Sequence, residues 1–278
     1  MKLPLLLFAA LVVSSVPALT QQKPVYEVYA IRYAITPDYP INDLVYGADP
    51  KRKADIAMMV WLVRGGGHNI LVDSGFYHER FFRDWKVKDY VKPSEAVARL
   101  GLKPEDITDV VISHMHWDHV DGVDLFPKAR IWIQNDELEY YAGEAWETKQ
   151  TSDGFDAQDV IEMVKLNTEG HVGLVHGDAQ EILPGIICYT GGKHTHQSQY
   201  VGVNTAGGTV ILASDNMYLY ENMERHTPIG ETVDAASNLR AQDRMKMLAA
   251  RPEWVIPGHD MAIFERFPKV AEGVVRIQ

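Results

Sequence analysis

One stretch, Ser113-His114-Met115-His116-Trp117-Asp118-His119, limits what this chain can become more than any other. It follows Thr108–Ile112, a β-rich apolar run that reads as a buried strand, so four potential metal ligands crowd the end of one strand. Packing imidazoles and a carboxylate this densely is costly unless a cation holds them together. In an extended segment residues two apart face the same way, so His114, His116 and Asp118 are expected to converge while His119 turns toward a second point. Imidazole and carboxylate without thiolate suit Zn²⁺ first, with Fe, Co or Mn as alternatives.

Around this stretch, strand and helix signals alternate. Strands are expected over Tyr26–Ile35, Asp55–Val63 and His68–Val72, the last two paired across Gly65-Gly66-Gly67. A short helix is expected over Ser94–Leu100 with Ser94 as its cap, then a strand over Ala129–Gln134 and a helix from Asp136 to Tyr141. Residues 142–168 carry no regular pattern. Further strands are expected over His171–His176, Ile186–Tyr189, Gln199–Asn204, Thr209–Ala213 and Trp254–Ile256, with a helix over Val233–Ala250. The order indicates an α/β or α+β fold with at least two sheets.

Composition removes several classes of function. Met1-Lys2, the apolar run Leu3–Val13 and the small residues up to Ala18 have the order of a secretory signal, with Val16-Pro17-Ala18 as the cleavage box. The apolar run is well short of the roughly 20 residues that span a bilayer, so stable membrane insertion is not expected. Residues 19–278 are expected to form one catalytic domain, exported to the periplasm or medium. A net charge of −11 argues against a nucleic-acid partner, because phosphate binding needs clustered Lys and Arg. Cys188 is the only cysteine, so no intrachain disulfide can form. A homodimer is left open.

His114-Met115-His116-Trp117-Asp118-His119 resembles the HxHxDH signature of the metallo-β-lactamase superfamily, and the likeness runs from about Val25 to Phe267. Leu71-Val72-Asp73-Ser74-Gly75 is similar to the superfamily's strand-end motif, Ser214-Asp215 to its bridging-aspartate position, and Pro257-Gly258-His259 to its last histidine motif. The third motif departs from the pattern. Lys193-His194-Thr195-His196-Gln197-Ser198-Gln199 has Lys193 where a glycine is usual and His196-Gln197 where Pro-Gly is usual, and the ligand is assigned to His194. The resemblance implies a four-layer αββα sandwich with two metals. His114, His116 and His194 would hold one, Asp118, His119 and His259 the other, with Asp215 and a hydroxide bridging them and Asp73 orienting a ligand histidine.

Within the superfamily, 19 residues after His259 are too few for the helical substrate domain of the glyoxalase II branch, and His116 stands where flavodiiron members have glutamate. A bridging aspartate leans away from the true β-lactamases. In Asp215-Asn216-Met217-Tyr218 a tyrosine follows three residues later, resembling the Asp-x-x-Tyr of N-acyl homoserine lactone lactonases. The resemblance implies hydrolysis of a small lactone or ester, with Asp118 and Tyr218 catalytic; Trp117, from its place inside the histidine loop, is expected to wall the substrate pocket. A β-lactamase or broad esterase on the same metals is the alternative. Tyr140, Tyr141, Trp146 and Phe155 fit either the pocket lip or core packing. Lys193 and His196 have no assigned role, and His68, His78, His171, His176 and His226 read as ordinary histidines.

Overall fold

The computed structural model describes residues 23–147 and 154–278, so the secretory signal expected over residues 1–18 lies outside the described residues. Six strands come before residue 176: β1 (Glu27–Pro40), β2 (Lys53–Gly65), β3 (His68–Val72), β4 (Asp109–Val111), β5 (Arg130–Gln134) and β6 (Val172–Val175). Seven follow: β7 (Gln180–Leu183), β8 (Ile186–Thr190), β9 (Gln199–Thr205), β10 (Gly208–Ser214), β11 (Val255–Pro257), β12 (Lys269–Ala271) and β13 (Val274–Arg276). They form an eight-stranded sheet, ordered β12-β13-β1-β2-β3-β4-β5-β6, and a five-stranded sheet, ordered β11-β10-β9-β8-β7.

Period-two alternation in β1 and β2 decides which face meets which layer. Val28, Ala30, Ala57, Met59, Trp61 and Val63 enter the core shared with the second sheet, together with Tyr200, Val203 and Leu212. Their alternates Tyr29, Ile31, Ile56, Met58, Val60 and Leu62 enter a second core with Val160 and Met163 of the helix Ala157–Thr168 and Leu138 and Tyr141 of the helix Asn135–Ala142. Both faces of β2 are therefore buried, which explains its unbroken apolar run. The helix Ala235–Leu248 packs on β10 from the far side. Helix, sheet, sheet and helix stack as expected for the αββα sandwich.

Several local expectations need correction. Pro93 takes the first helical position, so Ser94 lies inside a short helix over Pro93–Ala96 that continues as 3₁₀ turns over Val97–Leu100. The irregular region holds the helix Ala157–Thr168, capped by Asp156, whose side chain accepts from the Gln158 amide. Gln180–Leu183, where no strand was expected, forms the edge strand β7. The final hairpin β12–β13, which carries no strong pattern, crosses back to pair with β1. Among the described residues no helix is long and apolar enough to cross a membrane.

Candidate metal centre

β3, β4, β5 and β6 run parallel, as do β10 and β11. Their carboxyl ends open toward one edge of the sandwich, the place where α/β sheets gather ligands. Asp73 follows β3, Ser113 and His114 follow β4, Ser214 and Asp215 close β10, and Gly258 and His259 follow β11. His194 lies in the loop between β8 and β9. All seven expected ligands meet there.

They meet in two groups. His114, His116, His194 and Asp215 offer donor atoms within 4.8 Å of one another, and so do Asp118, His119 and His259. The grouping follows the family resemblance but corrects the period-two expectation. The chain becomes helical over Trp117–Val120, so Asp118 turns away from His114 and His116 and joins His119. Asp215 spans both groups. Its Oδ2 lies 3.4 Å from His194 Nε2 and 3.2 Å from His119 Nε2, while Oδ1 lies 3.1 Å from His259 Nε2. Glycine is required beside it, since a Cβ on Gly258 would stand 2.5 Å from Asp215 Oδ1.

The outward nitrogens fix the tautomers. His194 Nδ1 donates to the Glu231 carbonyl at 2.9 Å and His259 Nδ1 to the Ala57 carbonyl at 2.9 Å. His119 Nδ1 meets Asp73 Oδ2 at 2.8 Å, as expected for an orienting carboxylate. Each inward Nε2 of a neutral ring is then a lone pair. His194 Nε2 faces His114 Nε2 at 3.2 Å and His116 Nδ1 at 3.0 Å, while His119 Nε2 and Asp215 Oδ1 are buried with no hydrogen-bond partner. Lone pairs aimed at one another need a cation between them. The spacing is close to the roughly 3.3 Å edge of a tetrahedron with metal–nitrogen arms of about 2.0–2.1 Å. The donor set fits metal ions.

Electrostatics agree. Burial holds His114 well below the ordinary imidazole value and His116 at about 3, so both stay neutral and free to coordinate. In the second group burial also pulls His119 down, but Asp118 and Asp215 outweigh it and raise it well above that value. That side of the centre calls for positive charge.

Supporting residues lock the geometry. Asp73, with φ 62° and fully buried, accepts from the Ser113 amide at 2.8 Å and from Ser214 Oγ at 2.9 Å, so one carboxylate ties both sheets to His119. Gln199, the last residue of the third motif, donates from Nε2 to the Ile112 carbonyl at 2.8 Å. Lys193 adopts φ 58°, the left-handed conformation that explains the usual glycine there. Its Nζ is anchored on the His196 carbonyl and on Gln197 Oε1. His196 itself is exposed and stacks on Tyr140, centroids 4.1 Å apart and planes 6° from parallel, so it walls the cleft and stays off the donor groups.

The centre lies in a cleft of about 880 Å³. Trp117 lines it, stacked on Phe81 at 4.3 Å, and Tyr39, Ile56, Met58 and Trp85 extend the apolar wall. Tyr140 and Tyr141 also line it, whereas Trp146 and Phe155 pack behind Tyr141. Tyr218 is 4% exposed, with its hydroxyl 3.4 Å from His194 Nδ1 and its ring 5.8 Å from that of His259. Burial, then the charge of Asp215, keeps its phenol protonated.

Two residues went unnoticed in the sequence, and a third was given no role. Glu137, fully buried, accepts from the Met115 amide, Thr195 Oγ1 and the Gln197 amide, joining the first and third motifs. Burial pushes its carboxyl up to about 7. Glu231 lines the cleft with Oε2 at 3.5 Å from the Tyr218 hydroxyl. Although its side chain is open to the cleft, partial desolvation, then Asp215, Asp43 and Asp118, pushes its carboxyl up to about 7. His78, read as an ordinary histidine, belongs to a buried carboxylate cluster with Asp121 and Asp159. Only a preceding Asn135-Asp136 in the case of Glu137 hinted at anything polar, and nothing marked Glu231.

Residues 59–259 match the model of the metallo-β-lactamase superfamily, and this chain belongs to that superfamily. A curated relative, an N-acyl homoserine lactonase from a Bacillus species, is 27% identical over 229 residues, covering 76% of this chain and 84% of its own. Among solved structures, a quorum-quenching N-acyl homoserine lactone lactonase superposes with a TM-score of 0.72 at 21% identity, covering 88% of this chain and 97% of the other. An N-acyl homoserine lactone hydrolase carrying N-hexanoyl-L-homoserine at its catalytic metal centre superposes with a TM-score of 0.68 at 20% identity, covering 88% and 98%. These last two establish the fold.

Proposed function

We propose that this protein is a dinuclear metal-dependent lactonase that opens the ring of N-acyl homoserine lactones, and that it works outside the cytoplasm. The observation that carries the reading is the placement of Tyr218, whose phenol stands beside His194 and His259 in the cleft that both donor groups share. The curated lactonase relatives support the substrate class, and the Met1–Ala18 pattern supports export. His114, His116 and His194 would hold one ion and Asp118, His119 and His259 the other, with Asp215 reaching both. Zn²⁺ suits these donors best. When bound, the pair supplies an acidified water and an electrophile for the carbonyl.

The remaining work falls to side chains. Tyr218, neutral and buried, donates its O–H to the lactone carbonyl oxygen as negative charge develops there. Water adds to the carbonyl carbon and the ring C–O bond breaks. Asp118, with an Oδ2 that faces His119 and His259, takes the proton the water releases and returns it to the departing ring oxygen. Trp117, Trp85 and Tyr39 exclude water from one side of the cleft and offer an apolar surface to an acyl chain.

Tyr218→Phe tests the reading. The variant should keep fold and metal content, leave substrate affinity nearly unchanged, and lose roughly tenfold to a thousandfold in kcat on an N-acyl homoserine lactone. A wild-type protein that prefers a cephalosporin or a simple aryl ester to the lactone would remove lactonase from first place.

A further inference from the structure

Among the described residues, Glu231 is the one cleft carboxylate with no place in either donor group. Its backbone is held on three sides. The Ile229 amide donates to Asn238 Oδ1 at 3.1 Å, and the Glu231 carbonyl receives His194 Nδ1 at 2.9 Å. Between them Gly230 is pressed so closely on the Asn42–Asp43 backbone that a Cβ would stand 2.2 Å from the Asp43 carbonyl oxygen. The carboxylate therefore projects into the cleft from a fixed origin. Among the described residues its only side-chain hydrogen bond is the long one from Tyr218, 3.5 Å, and no basic side chain pairs with it. Lys193, next to His194 in the chain, is committed to His196 and Gln197.

We infer that Glu231 is a specificity-determining residue: its carboxylate accepts a hydrogen bond from an N–H borne on the carbon next to the scissile lactone carbonyl. The inference rests on the lactonase reading above and names the feature that reading leaves open, which part of the substrate the protein recognises beside the ring. The argument is geometric. If Tyr218 donates to the carbonyl oxygen, a carboxylate oxygen 3.5 Å from the phenol lies next to whatever the adjacent ring carbon carries. An amide nitrogen there is two bonds from the carbonyl carbon and presents a donor. An ester oxygen in the same place presents only lone pairs to a carboxylate and is repelled. Discrimination of this kind is strong because the wrong substrate leaves one acceptor facing another.

The test compares an α-acylamino-γ-butyrolactone with its α-acyloxy analogue, identical except that N–H is replaced by O. Wild-type protein, purified with its metals, should favour the amide by roughly ten- to a hundredfold in kcat/KM, the worth of one hydrogen bond to a charged acceptor. In Glu231→Ala the preference should collapse to within about threefold, chiefly through lost amide turnover and affinity, while activity on the acyloxy lactone holds or rises. Glu231→Gln, which keeps the shape and one weaker acceptor, should fall between. Calorimetric binding of the two ring-opened products should show the same order without relying on turnover. Metal content and melting temperature of both variants check folding, and the glutamine variant carries the test should the alanine variant not fold. Turnover of both lactones with a ratio unchanged in the variants overturns the inference alone. A wild-type protein that opens neither lactone overturns the reading beneath it, and the inference with it.

Discussion

Two buried clusters of His and Asp lie within a few residues of each other and are built on opposite terms. At the sheet edge, imidazole nitrogens face one another at 3.0–3.2 Å, and His119 Nε2 and Asp215 Oδ1 find no hydrogen-bond partner. Just beyond, Asp121 and Asp159 also sit with a histidine in a group whose donor atoms could hold a metal. There the cation is already present: Arg80 Nη2 lies 3.1 Å from Asp121 Oδ1, 3.2 Å from Asp159 Oδ1 and 3.1 Å from Asp156 Oδ1. His78 Nδ1 adds a contact of 2.6 Å to Asp121. Group by group, each offers three or four ligand-type residues. What separates a site that needs an ion from one that does not is whether the chain brings its own positive charge. Asp121 uses its other oxygen on the Tyr77 and His78 amides, so this second cluster clamps the 76–80 loop to the helix Ala157–Thr168.

That contrast can be broken most directly by removing metal. Purified protein should carry close to two transition-metal ions per chain by elemental analysis. Chelation should abolish hydrolysis and lower the melting temperature, since an ion that binds only the folded state stabilises it by mass action. An active protein with one ion or none would end the dinuclear account. Next in size is the pair of third-motif variants: His194→Ala should lose metal and activity, whereas His196→Ala, which removes a cleft wall stacked on Tyr140, should keep both ions. An exchange of the two phenotypes would show the assignment through Lys193 to be displaced by two residues. The smallest effect belongs to the clamp. Arg80→Met should cost about 1–3 kcal/mol in denaturant unfolding, less than a fully buried pair because the guanidinium is 36% exposed, with metal content unchanged. Loss of bound metal in that variant would mean that the two clusters are not independent.

The sequence made the centre legible where ligands are contiguous and the environment legible hardly at all. His114 to His119 stand in a row, and His194, Asp215 and His259 each sit in a short pattern that carries its own glycine, proline or serine. The same row misled at Asp118, because period two holds only while the backbone stays extended, and the chain turns helical at Trp117. Ser94 misled for a similar local reason, Pro93 having taken the start of the helix. Glu137 and Glu231 could not be read, since each matters only through what another loop places opposite it. The apolar wall of Tyr39, Ile56 and Met58 comes from β1 and β2, long before the first ligand, and only the sheet order brings it to the cleft.

The donor atoms come from the ends of strands in both sheets, and His114 and His259 are separated by more than half the chain. An ion at this centre is therefore a removable cross-link between distant points on one polymer. Closing so long a loop costs chain entropy once, and the clip that holds it shut collects most where the loop is longest. With no cysteine pair to do that work, the order of events in folding is set by the topology: the sheets must dock before the ion finds its full set of donors. An ion held by the full set of donors would then report that the two halves have met.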